Sequence, residues 1–170
     1  QRNLKWSSSA ISREQRWERY NQKAALILIT GKRNVGKKTL ARALEQRLFA
    51  DGKTVYFMGI ANVLYGVDAD IKKPGDDQRH RPEHLRRLAE VANILLDAGV
   101  ILVVTAIGLT QQDMEIIQNV VDSDLIETIW LGEDPTDIDF SMKVPDLSNL
   151  DETLNRMKVL LQNKGIIFKP

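Results

Sequence analysis

One stretch decides the fold of this chain: Gly31-Lys32-Arg33-Asn34-Val35-Gly36-Lys37-Lys38-Thr39. It follows an apolar run, residues 24–30, that predicts a buried strand, and it precedes a helix-forming run, residues 40–48. A strand, a glycine-bracketed turn and a helix start, in this order, are the setting of a phosphate-binding loop. Glycines let successive backbone N–H groups point inward, the helix N-terminus adds partial positive charge, and a lysine reaches the outer phosphates. We therefore predict an anion-binding loop, in preference to a helix start whose lysines are merely solvated.

The match to the phosphate-binding pattern stops one residue short. The pattern G-x-x-x-x-G-K-[ST] is satisfied at Gly31, Gly36 and Lys37, but Lys38 stands where a hydroxyl would bind magnesium. Thr39 cannot replace that hydroxyl, because one step along a helix turns the side chain by about 100°. An ammonium about 4 Å from a divalent cation is repelled by about 8 kcal/mol at an effective dielectric of about 20. The sequence therefore disfavours magnesium without excluding it, since a long lysine can swing aside, and we assign no metal ligand.

The composition is that of an ordinary globular protein, with 170 residues, a net charge of +1, 28% charged residues and 43% hydrophobic residues. This length suits one domain, and we divide the chain into an N-terminal segment with a short helix, residues 1–23, and a main domain, residues 24–170. Without a global basic excess we expect no nucleic-acid partner, and the local cluster of lysines and arginine around the loop suits a small anion or nucleotide. The chain has no cysteine, which excludes disulfides, thiolate metal sites and cysteine nucleophiles.

The longest apolar runs, residues 24–29 and 100–109, fall short of the about 18 residues that a membrane span needs. No signal peptide is visible. We therefore expect a cytoplasmic location and no membrane partner. The chain begins at Gln1 instead of methionine, so we also expect it to be an excerpt of a longer protein.

Strand and helix patterns alternate along the chain. Helices are predicted over residues 12–20, 37–50, 82–98, 110–121 and 150–163, and strands over residues 24–30, 53–58, 100–106 and 125–131. A short helix near residues 62–65 and a fifth strand near residues 140–144 are left open. Ser148 followed by Asp151 predicts a capping box for the last helix, and Trp130 is predicted in the core. The alternation predicts an α/β fold, with a parallel sheet of four to five strands and helices on both faces.

Charged residues near the start of the third predicted helix are interpreted first as structural. Arg86 and Arg87 lie at helical spacing from Glu83 and Glu90, which favours salt bridges over an anion site. His84 is expected on the surface of the first helical turn. We therefore assign no catalytic role to this turn.

At several places the sequence resembles adenylylsulfate (APS) kinases, which phosphorylate adenosine 5′-phosphosulfate (APS) with ATP. The resemblance runs from residues 3–6 through residues 21–23, the loop and residues 62–63, is strongest over residues 85–92 and 97–99, and extends to about Leu131. It implies the P-loop kinase-type fold, which is commonly dimeric, and phosphoryl transfer from MgATP to the ribose 3′-hydroxyl of APS. In some bacteria such kinases are fused behind an ATP sulfurylase subunit, so fusion or association with ATP sulfurylase is a candidate arrangement.

The residues that the resemblance implies for catalysis are altered. The family's Asp-Gly-Asp-Asn-Val-Arg reads Gly-Ile-Ala-Asn-Val-Leu at residues 59–64, so both carboxylates and the arginine are replaced. In phosphoryl transfer such an aspartate orients the nucleophilic hydroxyl or holds metal-bound water. Asp68 and Asp70 lie nearby in sequence and are expected to be solvated, although either could substitute as the base. We therefore assign no catalytic residue.

The substrate side departs from the family as well. The resemblance implies substrate-contacting positions at Asn62, Arg81, His84 and Ile107. Of these, His84 replaces an asparagine, and Lys73 replaces a phenylalanine that stacks on the substrate adenine. The basic lid, with Lys-Gly-Leu-Tyr, is missing from residues 132–148, and without a lid water is not excluded from transferring phosphate.

These losses predict a domain with impaired catalysis that acts as a nucleotide- or anion-binding, regulatory or assembly module. No cofactor is assigned: ATP and ADP remain candidates, and Mg²⁺ is disfavoured. Two alternatives stay open. One is an active APS kinase or related nucleotide kinase in which Lys38 supplies part of the metal's charge, and the other is a structural interaction domain with an empty loop.

Overall fold

A computed structural model describes residues 7–59 and 81–168. Within these residues the strands are β1 (Ala25–Gly31), β2 (Val55–Met58), β3 (Ile101–Ile107), β4 (Ile126–Leu131) and β5 (Met142–Val144). The helices are α1 (Arg13–Tyr20), α2 (Lys37–Ala50), α3 (Arg81–Asp97), α4 (Gln111–Gln118) and α5 (Leu150–Asn163), with a 3₁₀ turn at Ser123–Leu125. None of these described helices is long and apolar enough to cross a bilayer.

The described strands form one parallel sheet in the order β2-β3-β1-β4-β5. The central strand β1 is buried at every position, as is typical of a strand covered on both faces. Its side chains alternate between two core layers: Leu26 and Leu28 pack with α3 and α4, whereas Ile27 and Ile29 pack with α2 and α5. The prediction of an α/β fold with helices on both faces is confirmed, and the fifth strand is present.

The parallel order brings the ends of β1, β3 and β4 to one edge of the sheet. There the Gly108 N–H donates to the Gly31 carbonyl over 2.8 Å. The Leu109 N–H donates to Thr30 Oγ1 over 2.9 Å. Ligands of open α/β sheets bind at this carboxyl edge, so the loop after β1 lies where a site is expected.

Two local predictions are wrong. The side chain that caps α5 is Asn149, which accepts from the Glu152 N–H over 3.2 Å, whereas the Ser148 N–H donates to an aspartate over 2.9 Å. His84 is only 3% exposed and does not lie on the surface. The reason is helical periodicity: His84 precedes the buried Leu88 by four residues and so shares the apolar stripe of α3. The helix left open near residues 62–65 lies outside the described residues.

The predicted salt bridges on α3 are confirmed. Arg86 Nε and Nη2 donate to the two carboxylate oxygens of Glu83, both over 2.8 Å, and Arg87 Nε donates to Glu83 over 2.9 Å. Arg86 also lies 3.7 Å from Glu90. The hydrogen bonds from Arg86 and then Arg87 lower the pKa of Glu83 from 4.5 to about 2. Glu83 therefore holds two arginines in the first turns of the helix.

We expect Glu83→Gln to lower the free energy of unfolding at pH 7 by about 1 kcal/mol at most, because the Glu83 side chain is 37% exposed and solvent screens the pairs. A carboxyl whose folded pKa is depressed stabilises the fold above its ordinary pKa and loses this effect as it is protonated. The difference between the two proteins should therefore fade between pH 4.5 and about pH 2. Urea unfolding across this range measures it, with Glu115→Gln, at an exposed position of α4, as control. A constant difference would contradict the assignment.

Candidate functional site

The phosphate-binding loop, residues 31–39, turns the chain sharply between β1 and α2. A Cβ on Gly31 would lie 2.1 Å from the backbone oxygen of Leu131, so only glycine fits beside β4. Asn34 and Gly36 both have positive φ, 65° and 98°. The N-cap of α2 is Gly36, which provides no side-chain acceptor for the helix. The first N–H groups of α2 are therefore left for an anion.

Lys37 is the buried cation of this loop. The residue is 9% exposed, and its Nζ donates to the carbonyl of Lys32 over 2.5 Å. Burial lowers the pKa of Lys37, and the charges of Arg33 and Lys38 lower it further. An anion beside Lys37 would offset the positive charges of all three residues and stabilise the charged lysine. The loop is therefore electrostatically suited to bind phosphate.

Most of the other predicted loop residues are more exposed to solvent than Lys37. Exposed side chains belong to Lys32, Arg33, Asn34, Lys38 and Thr39. The half-buried Val35 packs against the core layer of α2 and α5. Within residues 7–59 and 81–168 no group of three or more histidine, aspartate and glutamate side chains is placed to hold a metal ion.

An acidic segment, residues 133–139, lies next to the loop. It contains Glu133, Asp134, Asp137 and Asp139 in the place where the resemblance implies a basic lid. Asp134 lies 3.5 Å from Lys32 Nζ, and its carbonyl accepts from Trp130 Nε1 over 2.9 Å. Trp130 is 5% exposed, which confirms its predicted core position. The acidic segment therefore contacts both the loop, through Lys32, and the core, through Trp130.

On the other side of the site, Arg81 is held by Asp113. Arg81 Nε and Nη2 donate to the two Asp113 oxygens over 3.3 and 3.0 Å, and Nη2 also donates to the Ile107 carbonyl over 3.0 Å. Burial raises the pKa of Asp113, but hydrogen bonds from Arg81 and Thr110 outweigh it and leave the pKa below the ordinary value. The pair is therefore ionised at neutral pH.

Among the described residues, the structure brings three predicted substrate-side positions close together. Arg81 contacts the backbone of Ile107, and His84 is buried one helical turn after Arg81. Asn62, together with Asp68, Asp70 and Lys73, lies outside the described residues. Sequence reasoning missed Asp113 and Asp134. Asp113 had a readable signal, because Thr110 and Asp113 have the spacing of a capping box, which the structure contains.

Comparison with known proteins places these features in a family. The family model of adenylylsulphate kinase matches residues 23–134. The adenylyl-sulfate kinase of Aeromonas hydrophila is 38% identical over 119 residues, which cover 70% of this chain and 59% of that protein. The adenylyl-sulfate kinase of Clostridium acetobutylicum is 33% identical over 125 residues, which cover 74% of this chain and 61% of that protein. The chain thus spans about six tenths of the length of these curated relatives.

Solved structures agree with the fold. An APS kinase mutant from Mycobacterium tuberculosis superposes with a TM-score of 0.72 at 23% identity, covering 83% of this chain and 99% of that chain. A hexameric APS kinase from Thiobacillus denitrificans superposes with a TM-score of 0.73 at 21% identity, covering 88% of this chain and 31% of that chain. These likenesses show the architecture, an α/β sheet of the P-loop kinase type.

Proposed function

The chain belongs to the adenylylsulfate kinase family, and from this premise we propose that it is a nucleotide-binding domain whose phosphoryl transfer is impaired. The observation on which the proposal rests is the charge of the loop, where Lys38 follows the buried Lys37 in the place of a hydroxyl. A polyphosphate complements three neighbouring cations, Arg33, Lys37 and Lys38. A divalent cation does not complement these positive charges, because it would be repelled by them.

The loop fits a nucleotide in three respects. The glycines bring the backbone close to β4, the start of α2 has no side-chain cap, and Lys37 is bonded to a carbonyl that it can exchange for a phosphate oxygen. Burial and the charges of Arg33 and Lys38 disfavour the charged form of Lys37. A phosphate bound here would stabilise that charged form. ATP or ADP is therefore the proposed ligand.

Magnesium fits the same residues poorly. Thr39 is exposed and lies one residue beyond the required position. The ammonium of Lys38 repels a divalent cation by up to about 8 kcal/mol at about 4 Å. Since Lys38 is exposed and can move away, the repulsion in solution is smaller. We propose that nucleotide binds without a tightly held Mg²⁺, and we route no catalytic step through the metal.

Calorimetric titration with ATP, ADP and APS, each with and without Mg²⁺, tests this proposal. We expect ATP or ADP to bind and added Mg²⁺ to leave the affinity unchanged or weaker. Turnover of APS with MgATP should fall far below the kinase range of about 1 to 100 per second. Turnover within that range would overturn the proposal.

The Lys38→Ser variant isolates the residue on which the proposal depends. Restoring a hydroxyl and removing a positive charge should make ATP binding depend on Mg²⁺, with about a tenfold gain in affinity on adding the metal, or 1.4 kcal/mol. Titration of both proteins with and without Mg²⁺ measures this, and Lys53→Ser at the opposite edge of the sheet is the control. If the variant instead loses ATP binding, Lys38 is itself a phosphate ligand.

An active APS kinase is the competing proposal, and one observation favours it: proteins named adenylyl-sulfate kinases are 31–38% identical to this chain over 62–74% of its length. For such an enzyme, Lys38→Ser should change the rate of APS phosphorylation as well as the binding of ATP. A homodimer and an association with ATP sulfurylase also remain proposals. Light scattering of the protein alone and mixed with ATP sulfurylase tests both.

A further inference from the structure

The acidic segment, residues 133–139, begins directly beside the phosphate-binding loop. A Cβ on Gly31, the first residue of the loop, would lie 2.1 Å from the backbone oxygen of Leu131. A Cβ on Gly132 would lie 3.7 Å from Cγ1 of Val35, in the middle of the loop. The acidic segment starts at the next residue along the chain. Packing of the loop against the end of β4 therefore brings carboxylates close to the loop.

The acidic segment is anchored to β4, to the core and to α4. The carbonyl of Asp134 accepts from Trp130 Nε1 over 2.9 Å. Further along, Ile138 is 4% exposed, and Asp137 Oδ1 accepts from the Gln111 N–H at the start of α4 over 3.2 Å. These contacts hold the backbone of the segment, so the Asp134 side chain is kept near the loop.

Lys32 connects Asp134 with the buried lysine of the loop. Lys32 Nζ lies 3.5 Å from Asp134 Oδ2, and the Lys32 carbonyl accepts from Lys37 Nζ over 2.5 Å. One residue thus has its side chain on the acidic segment and its backbone on the cation that a phosphate would contact. A phosphate that binds Lys37 must replace this carbonyl, and Lys32 can turn toward a phosphate only by leaving Asp134.

The ion pair between Lys32 and Asp134 can weaken ligand binding without blocking the loop. The two side chains are 68% and 47% exposed, so solvent screens their attraction. Exposed ion pairs of this kind change an equilibrium by about fivefold at most. The pair is therefore expected to shift the balance between two arrangements of the loop, with Lys37 on its own backbone or on a phosphate.

We propose that the ion pair between Asp134 and Lys32 is an autoinhibitory contact, which holds Lys32 where its carbonyl retains Lys37 and so weakens the binding of a nucleotide phosphate. This inference rests on the proposed nucleotide binding at residues 31–39. Asp134 touches no phosphate in this account and acts through Lys32, so it is a positioning residue. The acidic segment thus opposes anion binding in the place where the family resemblance implies a basic lid.

The Asp134→Asn variant tests the inference, because it removes the charge and keeps the backbone carbonyl that Trp130 contacts. We expect its ATP affinity to be about threefold higher at about 0.1 M salt. The gain should disappear at about 1 M salt, where the Debye length falls from about 10 Å to about 3 Å. Asp134→Glu keeps the charge and should bind ATP as the unaltered protein does. Titration calorimetry at both salt concentrations measures these affinities.

A double-variant cycle with Lys32→Gln separates the specific contact from the overall charge of the segment. When Lys32 is already replaced, Asp134→Asn should give no further gain in ATP affinity. Glu133→Gln removes a neighbouring exposed carboxylate of the same segment and is the matched control, so it should leave the affinity unchanged. An equal gain from Asp134→Asn with and without Lys32, or the same gain from Glu133→Gln, would overturn the inference.

Hydrogen exchange without nucleotide separates this inference from the proposed function. The amides of residues 32–37 should exchange faster in Asp134→Asn than in the unaltered protein, and at unchanged rates in Glu133→Gln. If neither the unaltered protein nor Asp134→Asn binds ATP, the proposed function is overturned, and the exchange rates alone judge the contact. Equal exchange rates in Asp134→Asn and the unaltered protein would overturn the inference whether or not ATP binds.

Discussion

Replacing Lys37 with alanine should weaken ATP binding by about 10- to 100-fold, which corresponds to about 1.5–3 kcal/mol for one hydrogen bond to a charged group. The reason is position as well as charge. Lys37 is 9% exposed and its Nζ already lies on the loop backbone, so a phosphate that replaces the Lys32 carbonyl finds a donor that is held in place. Titration calorimetry with ATP and with ADP measures the loss.

Stability separates this effect from damage to the fold. Burial and the charges of Arg33 and Lys38 lower the pKa of Lys37, which means that these surroundings disfavour its charged form. Removing it should leave the free energy of unfolding unchanged or slightly higher. Lys53→Ala, at the amino edge of the sheet, is the matched control and should bind ATP normally. A variant Lys37→Ala that binds ATP as tightly as the unaltered protein would exclude the loop as the nucleotide site.

The strand, loop and helix at the centre of the fold were predictable because their signals are local. An unbroken aliphatic run predicted a strand covered on both faces, and β1 is buried throughout. The glycines that bracket the loop predicted a turn that other residues cannot make. At Gly31 the structure gives the reason, a neighbouring backbone oxygen that leaves no room for a Cβ.

The contacts on the acceptor side could not be predicted in the same way. Arg81 and Asp113 are 32 residues apart in sequence, and their contact depends on how α3 and α4 pack together. Asp134 meets Lys32 only because β4 lies beside β1. His84 was assigned to the surface by its polarity, yet the period of α3 places it on the buried stripe. In each case the position of the residue depends on how the helices and strands pack together, which the local sequence does not specify.

Replacing Gly31 with alanine should lower the free energy of unfolding by about 3 kcal/mol, the upper part of the range for overpacking a tight site. The added Cβ would lie 2.1 Å from the backbone oxygen of Leu131. That oxygen belongs to β4 and cannot rotate away as a side chain would. Either β4 shifts, or Gly31 moves and strains its hydrogen bond with the Gly108 N–H, 2.8 Å long. Urea unfolding measures the loss.

The control for Gly31 is another glycine that lacks the close neighbour. Gly52 has a φ of +82°, and a Cβ there would meet no atom within 4 Å. Gly52→Ala should therefore cost only the backbone strain, about 1 to 2 kcal/mol. Equal losses in the two variants would mean that β4 yields easily at Leu131. A larger loss for Gly31→Ala, together with weaker ATP binding, would show that the contact between loop and strand sets both the stability of the sheet edge and the shape of the anion site.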